Sequence, residues 1–198
     1  MIYTLRTIMG PRGAAHAARP RAHVFCGMPS IVFEGLHAGV DPPRRGTAGS
    51  AGYDLAAYLA LRTVRVWREG VMHERPCMES GGAFSLTLAP GEKALVPLGF
   101  KARLPAGYEA QIRPRSGTSV KTDLVIANAP GTVDADYPDE WCVPVKNGGV
   151  APLVIAHGDR IAQMVLARFE VLEFSEGAVA RSTDRSGGFG STGSGTGR

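Results

Sequence analysis

The chain has 198 residues, 44% of them hydrophobic and 20% charged, which allows one domain with a sizeable core, or a small domain with tails. Glycine (26) and proline (14) are frequent enough to exclude a long-helix architecture, and the sequence has no apolar run of about 18 residues, so a helical membrane span is excluded. The formal net charge of +4 resides in Arg6, Arg12, Arg19 and Arg21 within residues 1–27; the remainder is balanced, so the body carries no basic excess that points to nucleic acid.

Residues 1–27 are Arg- and Ala-rich and free of acids. They read as a disordered extension, as a leader upstream of a true start at Met28, or as an organelle-type transit segment; a secretory signal is excluded by the interrupted apolar stretches. From Ser30 the pattern becomes strand-like. SIVFEG (30–35), AGYDLAA (51–57), FSLTL (84–88), EKALVPLGF (92–100), YEAQIRP (108–114), DLVIAN (123–128), WCVPVKN (141–147), PLVIA (152–156) and IAQMVLARFEVLEF (161–174) are short apolar or alternating runs. Turn residues such as Pro90-Gly91, Asn147-Gly148-Gly149 and His157-Gly158-Asp159 divide them. This rhythm predicts an all-β barrel or sandwich, with one short helical turn at Ser116–Thr122.

Two stretches break the rhythm. Residues 59–85 mix charge with Trp67 and read as a β-hairpin excursion or an ordered flap. The end, 186–198, is Gly, Ser and Thr apart from Phe189 and Arg198, a composition that buries too little to offset its ordering entropy. The cysteines Cys26, Cys77 and Cys142 are too widely spaced for a disulfide framework or a zinc site, and a reducing compartment such as the cytoplasm is the simplest fit.

Three segments carry groups suited to chemistry. In Asp134-Ala135-Asp136-Tyr137 strand alternation puts both carboxylates on one face, where one of them is able to orient and deprotonate a water; the plain alternative is a solvated turn. Arg113-Pro114-Arg115-Ser116-Gly117 offers guanidinium forks, a hydroxyl and the amides of a helix start, all of which favour anions. The tail from Arg185 to Gly193 places a cation, an aromatic ring and hydroxyls on a flexible string, which suits a lid better than a linker.

These pieces, taken in order, resemble the five motifs of the trimeric dUTPases: AGYDL (51–55), RPRSG (113–117), NAPGTVDADY (128–137), GDRIAQM (158–164) and GGFGSTG (187–193). The resemblance runs from about Met28 to Gly193 and implies a distorted jelly-roll β-barrel in residues 28–180, a homotrimer with shared sites, and a C-terminal lid in residues 181–198. It also implies hydrolysis of dUTP to dUMP and pyrophosphate with Mg²⁺, an activity that limits uracil incorporation into DNA and supplies dUMP for dTMP synthesis.

Carried over residue by residue, Asp134 matches the general base that activates water for attack on the α-phosphorus, and Asp54 the residue that holds water on the Mg²⁺. Arg115, Ser116, Gly117 and Gln163 match phosphate contacts; Asn128, Thr132, Val133 and Cys142 surround the nucleoside; Tyr137 packs under the deoxyribose. In the tail, Phe189 matches the ring that covers uracil, and Arg185, Ser191 and Thr192 match contacts to the γ-phosphate. The chain departs from the pattern in three places. Arg185 is four positions before Phe189, one fewer than usual; Pro138-Asp139-Glu140-Trp141 replaces a small Arg-Gly-like pair; and 59–85 exceeds the usual spacing, as a trimer contact or a flap. Two other functions compete. The related dCTP deaminases typically lack the Asp-x-Asp-Tyr pattern present here; a non-catalytic nucleotide- or partner-binding regulator is disfavoured because every catalytic motif residue is present.

Overall fold

The computed structural model describes residues 29–183. The chain divides into two units, Met1–Ser30 and Ile31–Arg198, and every element below belongs to the second. Fourteen strands and one short helix follow in order: β1 (Val32–Gly35), β2 (Tyr53–Ala56), β3 (Thr63–Arg68), β4 (Val71–Pro76), β5 (Met78–Ser80), β6 (Ala83–Leu88), β7 (Lys93–Pro97), β8 (Phe100–Arg103), β9 (Tyr108–Arg113), α1 (Ser116–Lys121), β10 (Leu124–Ile126), β11 (Gly131–Val133), β12 (Cys142–Asn147), β13 (Leu153–Ala156) and β14 (Arg160–Arg168). They pair antiparallel in four sheets ordered β1-β8, β10-β12-β7-β3-β4, β11-β9-β14-β2 and β13-β6-β5. The all-β expectation and the helical turn at 116 both hold.

Strand alternation builds the core. In β3, Val64 and Val66 are buried while Thr63 and Arg65 face outward; in β12, Val143 and Val145 point in while Cys142, Pro144 and Lys146 form the other face. These join Leu55, Leu86, Leu88, Val96, Ile112, Ile155 and Met164 in a single apolar cluster, so every sheet except the short β1-β8 pair lends it a fully or almost fully buried aliphatic residue. That pair contributes Phe100 and Ala102.

EKALVPLGF is split by a turn at Gly99, whose φ of +75° is left-handed and whose missing Cβ makes room for the Tyr58 ring, 2.8 Å from where that atom would lie. The apolar run from Ile161 is strand only to Arg168. Beyond it Val171, Leu172, Phe174 and Val179 are exposed, because no described strand is left beside them to supply a ladder or a core face. Residues 59–85 are two hairpins. β3 and β4 turn at Glu69-Gly70, both with positive φ, and β5 and β6 turn at Gly81-Gly82. The inner strand β3 also pairs with β7, so the first hairpin forms one edge of the five-stranded sheet, while β5 and β6 lie in the three-stranded sheet with β13. Among the described residues no helix is long and apolar enough to cross a membrane.

Candidate active site

Asp54 stands on β2 and Gln163 opposite it on β14, which also pairs Gln163 with Arg113 of β9. β9 leads directly into Pro114, Arg115 and the first turn of α1, so three sequence motifs arrive at one end of this sheet. There the Asp54 carboxylate accepts from Arg115 Nε at 2.7 Å on one oxygen and from Arg160 Nη1 at 3.0 Å on the other. Arg115 Nη1 also donates to the Arg160 carbonyl at 3.2 Å. Gln163 Nε2 donates to the Pro114 carbonyl at 2.8 Å, tying β14 to the turn before the helix. Ser116 and Gly117 are exposed in the first turn of α1, whose N-terminus has no side-chain cap. Arg115 and Asp54 keep about a quarter of their side-chain surface open to solvent, so the cluster is reachable yet partly shielded.

Gly52 has a steric reason to be glycine. A Cβ there would sit 2.1 Å from Gln163 Oε1 and 3.0 Å from its Cδ. Gly52→Ala therefore pushes the Gln163 amide off Pro114. The expected result is a folded protein with a weakened grip on a polyphosphate ligand and a stability loss of about 1 kcal/mol, the worth of one ordinary hydrogen bond. Equilibrium unfolding and ligand titration on the same sample check it; an unchanged affinity would count against Gln163 as a phosphate contact.

The second group gathers between β11 and β12. Asn128 follows β10, and its amide packs against Gly131, where a Cβ would come within 2.9 Å of Nδ2. Thr132 and Val133 lie on β11, paired with β9; Asp134 follows, exposed, and its carbonyl accepts from the Tyr137 amide at 3.3 Å. Tyr137 and Cys142 line a cavity of about 300 Å³ together with Arg62, Arg65, Asp139 and Glu140. Burial holds the Cys142 thiol up at about 11, with Glu140 adding to the shift, and raises the Tyr137 phenol; both stay protonated at neutral pH and act as neutral surfaces. Cys77 and Cys142 are free thiols; Cys26 lies outside the described residues.

Asp54 and Arg115 line cavities different from the one lined by Tyr137 and Cys142. Asp54 and Arg160 line one of about 510 Å³ with Arg44, Arg45 and His157, and Arg115 lines another with Thr118 and Arg160. Arg185, Phe189, Ser191 and Thr192 lie outside the described residues. No set of three or more His, Cys, Asp or Glu able to hold a metal occurs among the described residues, and both Asp54 oxygens are engaged by arginines. This donor set fits a Mg²⁺ carried by phosphate oxygens and touched by Asp54 through water, and it does not form a dedicated protein cage.

Three cations were not picked out from the sequence. Arg160 sits inside GDRIAQM, so its signal was present; its reach to Asp54, 106 residues away, was not. Arg62 and Arg65 belong to 59–85, where only the alternation of β3 marks Arg65 as outward-facing.

A family model described as dUTPase matches residues 83–193. The deoxyuridine 5'-triphosphate nucleotidohydrolase of Finegoldia magna is 40% identical over 152 residues, covering 76% of this chain and 90% of that protein. A mutant dUTPase from phage phi11 of S. aureus, whose structure concerns the coordination of a structural Mg(II) ion, superposes with a TM-score of 0.60 at 22% identity, covering 77% of this chain and 99% of that one. A mutant Staphylococcus bacteriophage 80alpha dUTPase with dUpNHpp gives 0.62 at 23% identity, covering 83% and 98%. At these identities the structural likeness establishes the fold, the jelly roll expected from the motifs.

Proposed function

Because the chain belongs to the dUTPase family, we propose that it hydrolyses dUTP to dUMP and pyrophosphate by in-line attack of water on the α-phosphorus. The observation that carries this reading is the meeting of AGYDL, RPRSG and GDRIAQM in one hydrogen-bonded cluster, although Arg115 and Arg160 are 61 and 106 residues from Asp54. An anhydride already has a good leaving group. The protein's task is to hold the polyphosphate, offset its charge and align one water. Arg115, Gln163 and the amides of Ser116 and Gly117 bind and orient the phosphates in this reading. A Mg²⁺ bound with the substrate would neutralise further phosphate charge, with Asp54 holding its water shell.

Asp134 takes the proton of the attacking water. A carboxylate within one hydrogen bond of the water is able to accept that proton as the new P–O bond forms. Tyr137 lies under the deoxyribose, where a 2'-hydroxyl has no room. Backbone groups around Thr132, Val133 and Cys142 read the uracil edge; cytosine would present donor to donor and leave buried groups unpaired. Arg185, Phe189, Ser191 and Thr192 complete the γ-phosphate and base contacts when the tail closes. The activity keeps uracil out of DNA and provides dUMP for dTMP synthesis.

The site is completed between subunits of a homotrimer. Two features support this: Asp54 and Arg115 line cavities different from the one lined by Tyr137 and Cys142, and the segment after β14 leaves Val171, Leu172 and Phe174 exposed. Pyrophosphate release across dUTP, dCTP, dTTP and UTP tests the reaction, with dUTP strongly preferred; ammonia release from dCTP would instead mark a deaminase. Mixing an Asp134→Asn chain with a chain truncated after Ala180 tests sharing. Recovered activity in mixed trimers is expected, and a monomer at working concentration would end the idea.

A further inference from the structure

The loop 134–141 joins β11 to β12 and carries both Asp134 and Tyr137. Its outer leg, from Asp136 to Asp139, is exposed, while its return leg is anchored. Trp141 is buried at 2% exposure; its amide donates to the Phe100 carbonyl and its carbonyl accepts from the Leu98 amide, each at 3.0 Å. Beside it, Glu140 Oε1 accepts from the Gly99 amide at 3.0 Å and Oε2 from Arg62 Nη2 at 2.5 Å.

Arg62 is itself braced from behind. Its Nη1 lies 3.0 Å from His37 Nε2, and since a guanidinium only donates, that nitrogen is the accepting partner. The His37 ring lies flat on Tyr58, centroids 4.3 Å apart, and the Tyr58 ring fills the space left by the missing Cβ of Gly99. Gly99, Glu140, Arg62, His37 and Tyr58 thus form a closed circuit of contacts behind the loop. The ion pair is partly shielded, its two side chains 26% and 19% exposed, so its geometry is held more firmly than that of a free surface pair. Arg62 and Glu140 also line the same cavity as Tyr137 and Cys142.

Two segments left without a role by the motif pattern, 59–85 and Pro138-Asp139-Glu140-Trp141, therefore meet in one contact. We propose that Arg62 and Glu140 are a positioning pair for the nucleoside end of the site: together they fix the seat of Tyr137, and through it the rejection of a 2'-hydroxyl. This rests on the reading of 134–142 as the deoxyuridine-binding segment. Neither side chain reacts. The pair acts by keeping a tyrosine ring where a ribose would collide with it, and a displacement of about 1 Å at such a contact costs up to roughly 10²-fold in rate.

The test is steady-state kinetics on dUTP and UTP with the full chain, Arg62→Ala, Arg62→Lys, Glu140→Gln and the Arg62→Ala/Glu140→Gln double variant, each with a thermal melt. Glu140→Gln keeps an oxygen for the Gly99 amide and removes the charge, so it is chosen to preserve the fold; Arg62→Lys is the partner that keeps charge and loses the fork. Each of Arg62→Ala and Glu140→Gln is expected to raise KM for dUTP about tenfold and to narrow the preference for dUTP over UTP by a similar factor. The double variant should be no worse than the worse single, and Arg62→Lys should restore part of the discrimination. Folded single variants with parental KM and parental preference overturn the pairing, as do losses that add in the double variant. Lowered melting temperatures with unchanged preference would also overturn it, leaving the pair merely structural. Absence of dUTP turnover in the unaltered protein would fail the functional reading itself, and the positioning role with it.

Discussion

Asp134→Asn is expected to lower kcat for dUTP by about 10²- to 10⁴-fold, the range that general-base assistance contributes, while binding stays near the parental value. The substitution is clean here for structural reasons. Asp134 follows directly on β11, which is locked to β9, and the half-buried Val133 before it packs on the core. It is the backbone carbonyl of Asp134 that accepts from the Tyr137 amide, so the turn does not depend on the carboxylate. Asparagine fills the same volume on the same exposed side and cannot take a proton at neutral pH. A single-turnover measurement of pyrophosphate release, paired with calorimetric binding of a non-hydrolysable dUTP analogue, separates chemistry from affinity. A kcat within a few-fold of the parent would remove Asp134 from the base role, and a loss of binding equal to the loss of rate would make it a ligand contact.

Local patterns in the sequence carried most of the longer strands. Residues 59–85 read only as a hairpin excursion or a flap; the structure has the hairpin, with Val64 and Val66 alternating against Thr63 and Arg65 as the period-two side-chain direction of a strand requires. Glycine in AGYDL was visible as a motif letter; that Gln163 occupies the space of its Cβ is a long-range packing fact with no local trace. The same holds for the fork of Arg115 and Arg160 on Asp54. Each residue lies in a recognisable motif, yet the register of β14 on β2, shifted between Arg160 and Ala162, decides that the arginine and the carboxylate meet. The end of β14 at Arg168 was hidden for the opposite reason. Phe169 to Phe174 continue an apolar alternation, but a strand requires a neighbour as well as a pattern, and after the Phe169 amide donates to the Gly107 carbonyl no further strand pairing follows among the described residues. Arg62 and Glu140 were illegible because an ion pair between segments 78 residues apart has no sequence signature.

Arg75→Ala is expected to destabilise the folded chain by about 3–5 kcal/mol, the cost of stranding a buried charge. Arg75 on β4 closes a two-pronged bond on Glu92, Nη1 to Oε2 at 2.7 Å and Nη2 to Oε1 at 2.8 Å, and Glu92 is buried at 2% exposure in the turn before β7. The Ala89 amide donates to the same carboxylate at 2.8 Å, so the arginine fork and the turn share one anchor. The pair ties the outer strand of the first hairpin to the turn that starts a central strand. Its Arg75 partner holds the Glu92 carboxyl down at about 2, from an ordinary value of 4.5. A depressed carboxylate contributes its stability in full above the unfolded value, and that contribution is lost as pH falls from about 4.5 towards about 2; a displacement of this size corresponds to about 3 kcal/mol. Without Arg75, burial favours the protonated acid and the depression disappears. The stability gap between parent and variant should therefore be widest at neutral pH and close on acidification through that window. Denaturant unfolding at fixed protein concentration, at pH 7 and in steps down to pH 3, measures both quantities. A variant within about 1 kcal/mol of the parent at pH 7 would show that water replaces the arginine at little cost, and a gap that stays constant from neutral pH down to pH 3 would show that the arginine stabilises the fold through packing of its stem and not through the charge of Glu92.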